Sequence, residues 1–253
     1  MLALLRHALA MLRNVRLAAV HLVVNAALLA SASFWLLIPE AHIWQLLLAA
    51  VSALLIVLVF LWIHSATFVF AVNPVKENFH SSFAIKTWRL MWLLIGAFLL
   101  LWCMNAVGGW MESKWQTAGY LYSKAPTWLR PAAGSAPYTT MLEYLLLILY
   151  WYLLPCVVLA ITAARIYGAG FLRGLRILKR WQYWLGMAIT AFLGVWMTQL
   201  IIGWIPGTTL TQQTVSLVIR LAIAYLIATA AWLLTVGVLG YFVRTETVVE
   251  RAS

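Results

Sequence analysis

Two histidines and an asparagine interrupt otherwise apolar runs of the chain. His21 and Asn25 are four residues apart and so share one helical face, and His64 is followed by Ser65 and Thr67. A helix rises about 1.5 Å per residue, which puts His21 about 6 Å and His64 about 9 to 12 Å from the basic ends of their runs, at similar depth. Two facing imidazoles could ligate a haem or relay protons. No second histidine pair accompanies them, and hydrogen-bonded structural histidines are the simpler reading. A second polar layer comprises Asn105, Glu143, Thr198, Gln199 and Arg220. A carboxylate and a guanidinium at one depth could pair directly, with the two amides completing a network. The functional version of this layer is an outward-facing cavity for a polar or anionic solute, with Arg220 as charge anchor and Glu143 as proton carrier. The structural version is an ion pair holding the fourth and sixth helices together, or two residues snorkelling separately to water.

Catalytic chemistry is restricted by composition. The chain has no Asp, and Glu occurs only at 40, 77, 112, 143, 246 and 250. Paired intramembrane carboxylates and multi-Asp metal sites are therefore excluded, and no G-x-S-x-G elbow, phosphate-binding loop or H-E-x-x-H helix occurs. His42 with Glu40, and His80 with Glu77, lack metal-ligand spacing on a common element. A phosphate-directed enzyme using His42 or His80 as base is the one catalytic alternative, and no catalytic residue or metal site is expected. Cys103 and Cys156 fall inside apolar runs and read as packing residues, not as a disulfide framework.

The elements that must position these groups are set by hydropathy. Hydrophobic residues make up 65% of the 253 residues, and the mean hydropathy is +0.95. Crossing a bilayer takes roughly 20 mostly apolar residues. Six windows meet this, at about 17–38, 43–70, 89–110, 141–164, 183–205 and 215–243, and none shows the alternation of a membrane β-strand. The expectation is an all-α polytopic integral membrane protein, a single domain over 1–253 built as a bundle of six transmembrane helices.

Orientation follows the bias of Lys and Arg toward cytoplasmic loops. Arg6, Arg13, Arg16, Lys76, Lys86, Arg89, Arg165, Arg173, Arg176, Lys179, Arg180, Arg244 and Arg251 fall on one side of six crossings, against Lys114, Lys124 and Arg130 on the other. Both termini are thus expected in the cytoplasm, with 39–42, 111–140 and 206–214 outside. Ala30, Ser31 and Ala32 resemble a signal-peptide cleavage site, but the apolar run continues through Leu36, so a retained first helix is expected.

Two basic segments suggest lipid contact. In residues 1–16, Arg6, Arg13 and Arg16 alternate with Leu2, Leu5, Leu9 and Leu12, as in a short helix lying on the cytoplasmic surface or extending the first span. In the loop 165–182, Arg173, Arg176, Lys179 and Arg180 stand opposite Phe171, Leu175 and Leu178. Anionic headgroups fit these positions, at roughly 1 kcal/mol per basic residue near the surface. The formal charge of +11 restates the orientation bias and requires no nucleic acid. Many of the 15 Trp, including Trp88, Trp92, Trp110, Trp181, Trp184 and Trp204, sit near span ends as interfacial anchors.

Packing signals complete the reading. Gly186, Thr190, Gly194 and Thr198 form a small-residue seam for a neighbouring helix or another membrane subunit, and Ala224 and Ala228 do likewise. Pro155 is expected to kink its helix. The segments 97–110 and 191–204 match in Ala, Phe, Leu, Trp, Gly and Trp at a constant offset of 94, a candidate duplication that also pairs Asn105 with Gln199. The loop 111–140 should hold a short interfacial helix followed by an irregular stretch. The layout resembles bacterial multi-pass proteins, implying the cytoplasmic (inner) membrane of a bacterium. The expected role is a non-enzymatic accessory or scaffold subunit, or a lipid-interacting protein. The alternatives are a small transporter or channel using the outer polar layer and a haem-binding subunit using His21 and His64.

Overall fold

The protein, seen in a computed structural model, is described at residues 1–39, 42–72, 74, 82–83, 87–168, 170–207 and 209–252, with the side chains of 247–252 left aside. The sequence readings placed on Glu40, Lys76, Glu77, His80 and Lys86 lie outside the described residues. No strand occurs among the described residues. The helices are α1 (Leu2–Arg13), α2 (Val15–Trp35), α3 (Ile43–Val72), α4 (Thr87–Glu112), α5 (Lys114–Lys124), α6 (Ala136–Ile166), α7 (Phe171–Leu178), α8 (Trp181–Gly203) and α9 (Leu210–Ala252). Helices α2, α3, α4, α6, α8 and α9 are each long and apolar enough to cross a membrane. They fall on the six windows read from hydropathy.

Packing divides the chain into two compact units, Met1–Leu94 with Ala160–Ser253, and Ile95–Leu159. In the first, α9 is the spine, packed against α1, α2, α3, α7 and α8. Apolar surface gains nothing by leaving lipid for another helix, so close packing depends on small residues that let backbones approach. Gly237 meets Ala8 and Met11, Gly186 meets Val238 and Leu4, Gly194 meets the Ala231 methyl, and Gly240 lies against the Ala71 backbone. Of these, the approaches at Gly186, Gly237 and Gly240 lie toward one end of the unit. There α3 buries Leu61 and the run Ile63–Phe68, whereas its first half buries only Ala49. Toward the other end, Leu46, Leu47, Leu54, Val215, Val218 and Ile219 are exposed, as befits a surface solvated by hydrocarbon.

The buried end is also the basic end of this unit. The His7 ring on α1 reaches the last turn of α3 and stacks edge-on with Tyr241 of α9. Arg165 stands 4.0 Å over the Trp92 ring, and Arg180 pairs with Glu246 at 2.6 Å. Helix α1 packs on the C-terminal part of α9, with Ala8 and Met11 against Gly237.

On helix α1, Leu4, Ala8 and Met11 are buried against α9, while Leu2 and Leu5 are exposed. The helix is not an extension of α2. Asn14 leaves helical geometry (φ −79°, ψ 90°), and its side chain accepts the Leu17 N–H at 3.0 Å, capping α2.

In the second unit, α5 packs on α6 with Ala118 fully buried. The irregular stretch after α5 is held by Arg130, whose guanidinium donates to the carbonyls of Ala125 (2.8 Å) and Ser123 (2.9 Å) and so satisfies orphan acceptors at the helix end. Residues 111–140 hold a short helix, α5, and an irregular stretch after it. Ahead of Pro155, α6 widens into a π-helical turn at Leu149–Leu153, since proline cannot donate the next helical bond. Helix α8 has a similar turn at Phe192–Met197. The segment of α4 paired with it by the 94-residue offset is regular α-helix, so the two differ in local geometry.

Candidate functional site

The inner polar layer is a hydrogen-bonded cluster joining α2 to α3. Thr67 donates its single hydroxyl proton to the Ile63 carbonyl (2.8 Å), so it must accept from His21 Nε2–H, 2.6 Å away. His21 Nδ1 is then left as the acceptor for Asn25 Nδ2–H at 3.3 Å. His64 is oriented by its own helix, Nδ1–H donating to the Phe60 carbonyl at 2.8 Å. The two imidazoles meet edge to face, centroids 5.4 Å apart at 82°. Trp232 of α9 closes the cluster, 5.2 Å from His64 and 5.9 Å from Phe68. Its indole Nε1 and the Ser65 hydroxyl are buried without a protein partner.

A haem does not fit this cluster. Axial ligation takes a ring-nitrogen lone pair aimed at iron, whereas both nitrogens of His21 are engaged inside the protein and the two rings touch with no slot for a macrocycle between them. No group of three or more His, Cys, Asp or Glu that could hold a metal occurs among the described residues. The cluster instead staples α2 to α3, and the Tyr225 hydroxyl donating to the Leu22 carbonyl at 2.6 Å ties α2 to α9. Hydrogen bonds between spanning helices contribute about 1 kcal/mol each. Replacing Thr67 by Val is therefore expected to lower stability by about 1 kcal/mol in a detergent unfolding titration; an unchanged midpoint would show that the staple carries no weight.

The residues of the outer layer each have a local setting within their own unit. Glu143 accepts from Lys114 Nζ at 3.0 Å and is half exposed. Asn105 and Gln199 are exposed on their own helices, and the Thr198 hydroxyl turns back to the Leu193 carbonyl at 3.4 Å. Arg220 is 6% exposed and reaches backbone: its Nη1 donates to the Ile202 carbonyl in the last turn of α8, and its Nε donates to the Ser216 carbonyl (3.2 Å) and hydroxyl (3.1 Å). It pins the start of α9 to the end of α8, where unsatisfied carbonyls favour a cation.

The seam is occupied within the chain. A methyl at Gly194 would come within 3.0 Å of Ala231 Cβ, and one at Gly186 within 3.2 Å of Val238. Thr190, also buried, donates to the Met187 carbonyl. Of the seam residues, Gly186 and Gly194 thus serve α9.

At the basic end, α7 buries Gly174 and Ile177. Gly174 is backed so closely by Ile161 Cα that a methyl would stand 2.8 Å from it. Among the residues expected to meet anionic lipid, Arg176 and Lys179 are exposed and Arg173 half-buried. Arg180, 43% exposed, is shared with the nearly buried Glu246. Sequence reasoning missed His7. Its Nε2–H donates to the Ala71 carbonyl at 2.7 Å, one of the orphan acceptors ending α3. Burial pushes this imidazole below its ordinary pKa; the nearby Arg244 charge acts in the same sense and the bond to Ala71 opposes both. The spacing of Leu4, Ala8 and Met11 around it was the available signal.

Six span-length apolar helices and small-residue helix contacts define a multi-pass α-helical membrane protein. Comparison with protein families, with characterised proteins and with solved structures finds no match to this chain.

Proposed function

We propose that the chain is a non-enzymatic, lipid-interacting protein of a bacterial cytoplasmic membrane, with its basic end in the cytoplasm engaging anionic headgroups. The observation that carries this reading is the basic end of the first unit. Exposed Arg6, Arg13, Arg16 and Lys179 project there from or beside the short amphipathic helices α1 and α7, which are themselves fixed to the bundle. Several exposed cations at one end of a bundle suit a surface of many phosphates better than a single soluble anion. A solute pathway through the outer layer draws no support from Glu143 and Arg220, each engaged by a local partner. A subunit role through the seam draws none from Gly186 and Gly194, which α9 already covers.

The test is thermal unfolding of purified protein with phosphatidylglycerol or phosphatidylcholine added. Phosphatidylglycerol should raise the midpoint selectively. The triple change Arg6→Gln, Arg13→Gln, Lys179→Gln should remove about 3 kcal/mol of that selectivity at low salt, at roughly 1 kcal/mol per charge. Equal stabilisation by the two lipids would sink the reading.

A further inference from the structure

Between α1, α8 and α9 lies an apolar cleft of about 130 Å³, walled by Leu5 and Leu9, Ile189, and Leu234 and Val238, with Gly186 at its base. Its depth follows from α8: Gly186 and Thr190 lie five and nine residues from Trp181, so about 7 and 13 Å along the helix. An interfacial Trp marks where a span enters the headgroup region, which places the cleft at the level of acyl chains. The one polar side chain on its wall, Thr190, spends its hydroxyl proton on the Met187 carbonyl, so the cleft offers no donor to a polar ligand and stays dry. Leu5 and Ile189 at its mouth are each about half exposed, so it opens sideways.

The cleft is rigid and preformed because α1 is pinned at three places. Ala8 and Met11 pack on Gly237, His7 bonds the Ala71 carbonyl, and Leu4 meets Gly186. The same helix exposes Arg6 and Arg13, so one short element supplies both a wall for hydrocarbon and cationic charge for a headgroup.

We propose that this cleft seats one acyl chain of a phospholipid from the leaflet at the basic end, making it a retained-lipid site and not a passing contact. The assignment rests on the lipid-interacting reading and adds to it a particular chain-binding position.

The experiment is native mass spectrometry of the full chain extracted from its own membrane in mild detergent, comparing wild type with Ile189→Trp and Leu5→Trp. Both substitutions fill the mouth from half-exposed positions, so either one suffices should the other fold poorly. Val218→Trp, on the exposed face of α9, is the control. Wild type and the control should retain one phospholipid per chain, with occupancy falling about tenfold in the mouth variants. Equal retention in all four proteins, a wild type without lipid, or a second copy of the chain in place of lipid would each overturn the proposal. Selective stabilisation by phosphatidylglycerol should persist in Ile189→Trp, because the headgroup contacts are untouched. Loss of that selectivity in wild type would instead remove the headgroup reading.

Discussion

Gly240→Ala is expected to destabilise the protein by about 3 kcal/mol, the upper part of the range for forcing atoms into a close-packed contact. Helix propensity alone points the other way, since Ala is favoured over Gly by about 1 kcal/mol in a helix interior. The contact decides the sign. A methyl at 240 would overlap the carbonyl carbon and oxygen of Ala71, which are backbone atoms and cannot swing aside as a side-chain end would. The carbonyl also holds the bond from His7, so displacing α3 loosens α1 as well. Gly108→Ala is the matched control, because a methyl there meets nothing within 4 Å; it should be neutral or slightly stabilising. The check is the unfolding midpoint of both variants in one detergent. A Gly240→Ala protein as stable as wild type would mean that α3 and α9 do not approach as described.

Arg220→Ala should cost about 2 kcal/mol, in the range for hydrogen bonds to a charged group. It removes the donors to Ile202 and Ser216 and leaves the last turn of α8 with an orphan carbonyl. Arg220→Lys should recover only part of the loss, since an ammonium cannot reproduce a planar fork reaching acceptors on two helices. The loss should be the same with and without added anions, whereas a solute anchor would show ligand-dependent stabilisation that the variant loses. Faster proteolysis between Trp204 and Gly207 in the variant would locate the effect. A variant indistinguishable from wild type in both measurements would remove the capping role.

The spans were legible because a bilayer imposes a linear constraint: any crossing helix must carry a long apolar run, whatever it packs against. Depth was legible for the same reason, and His21 and His64 were correctly placed level with one another. What the residues did there was not. Glu143 and Arg220 stood out as charges inside apolar runs, but their local partners did not, a lysine two residues beyond a helix end and a backbone carbonyl. On α1 the leucines marked an apolar face, but nothing in their spacing named the face that packs on α9, which carries Ala8 and His7, one small and the other reaching an orphan carbonyl. The seam on α8 was visible as a spacing of small residues, though nothing in that spacing named Ala231 and Val238 as what fills it.

Six helical spans, and positive charge concentrated in one set of loops, could be read from residue order without any contact between helices. Both are sums along the chain, position by position, against a slab of fixed thickness. The docking of α1 on α9, the capping by Arg220, the staple at His21 and Thr67, and the apolar cleft beside Gly186 emerge from packing. These depend on rotation of each helix about its axis. In lipid that rotation is set by where small residues on two helices permit mutual approach, a condition on pairs of segments far apart in sequence.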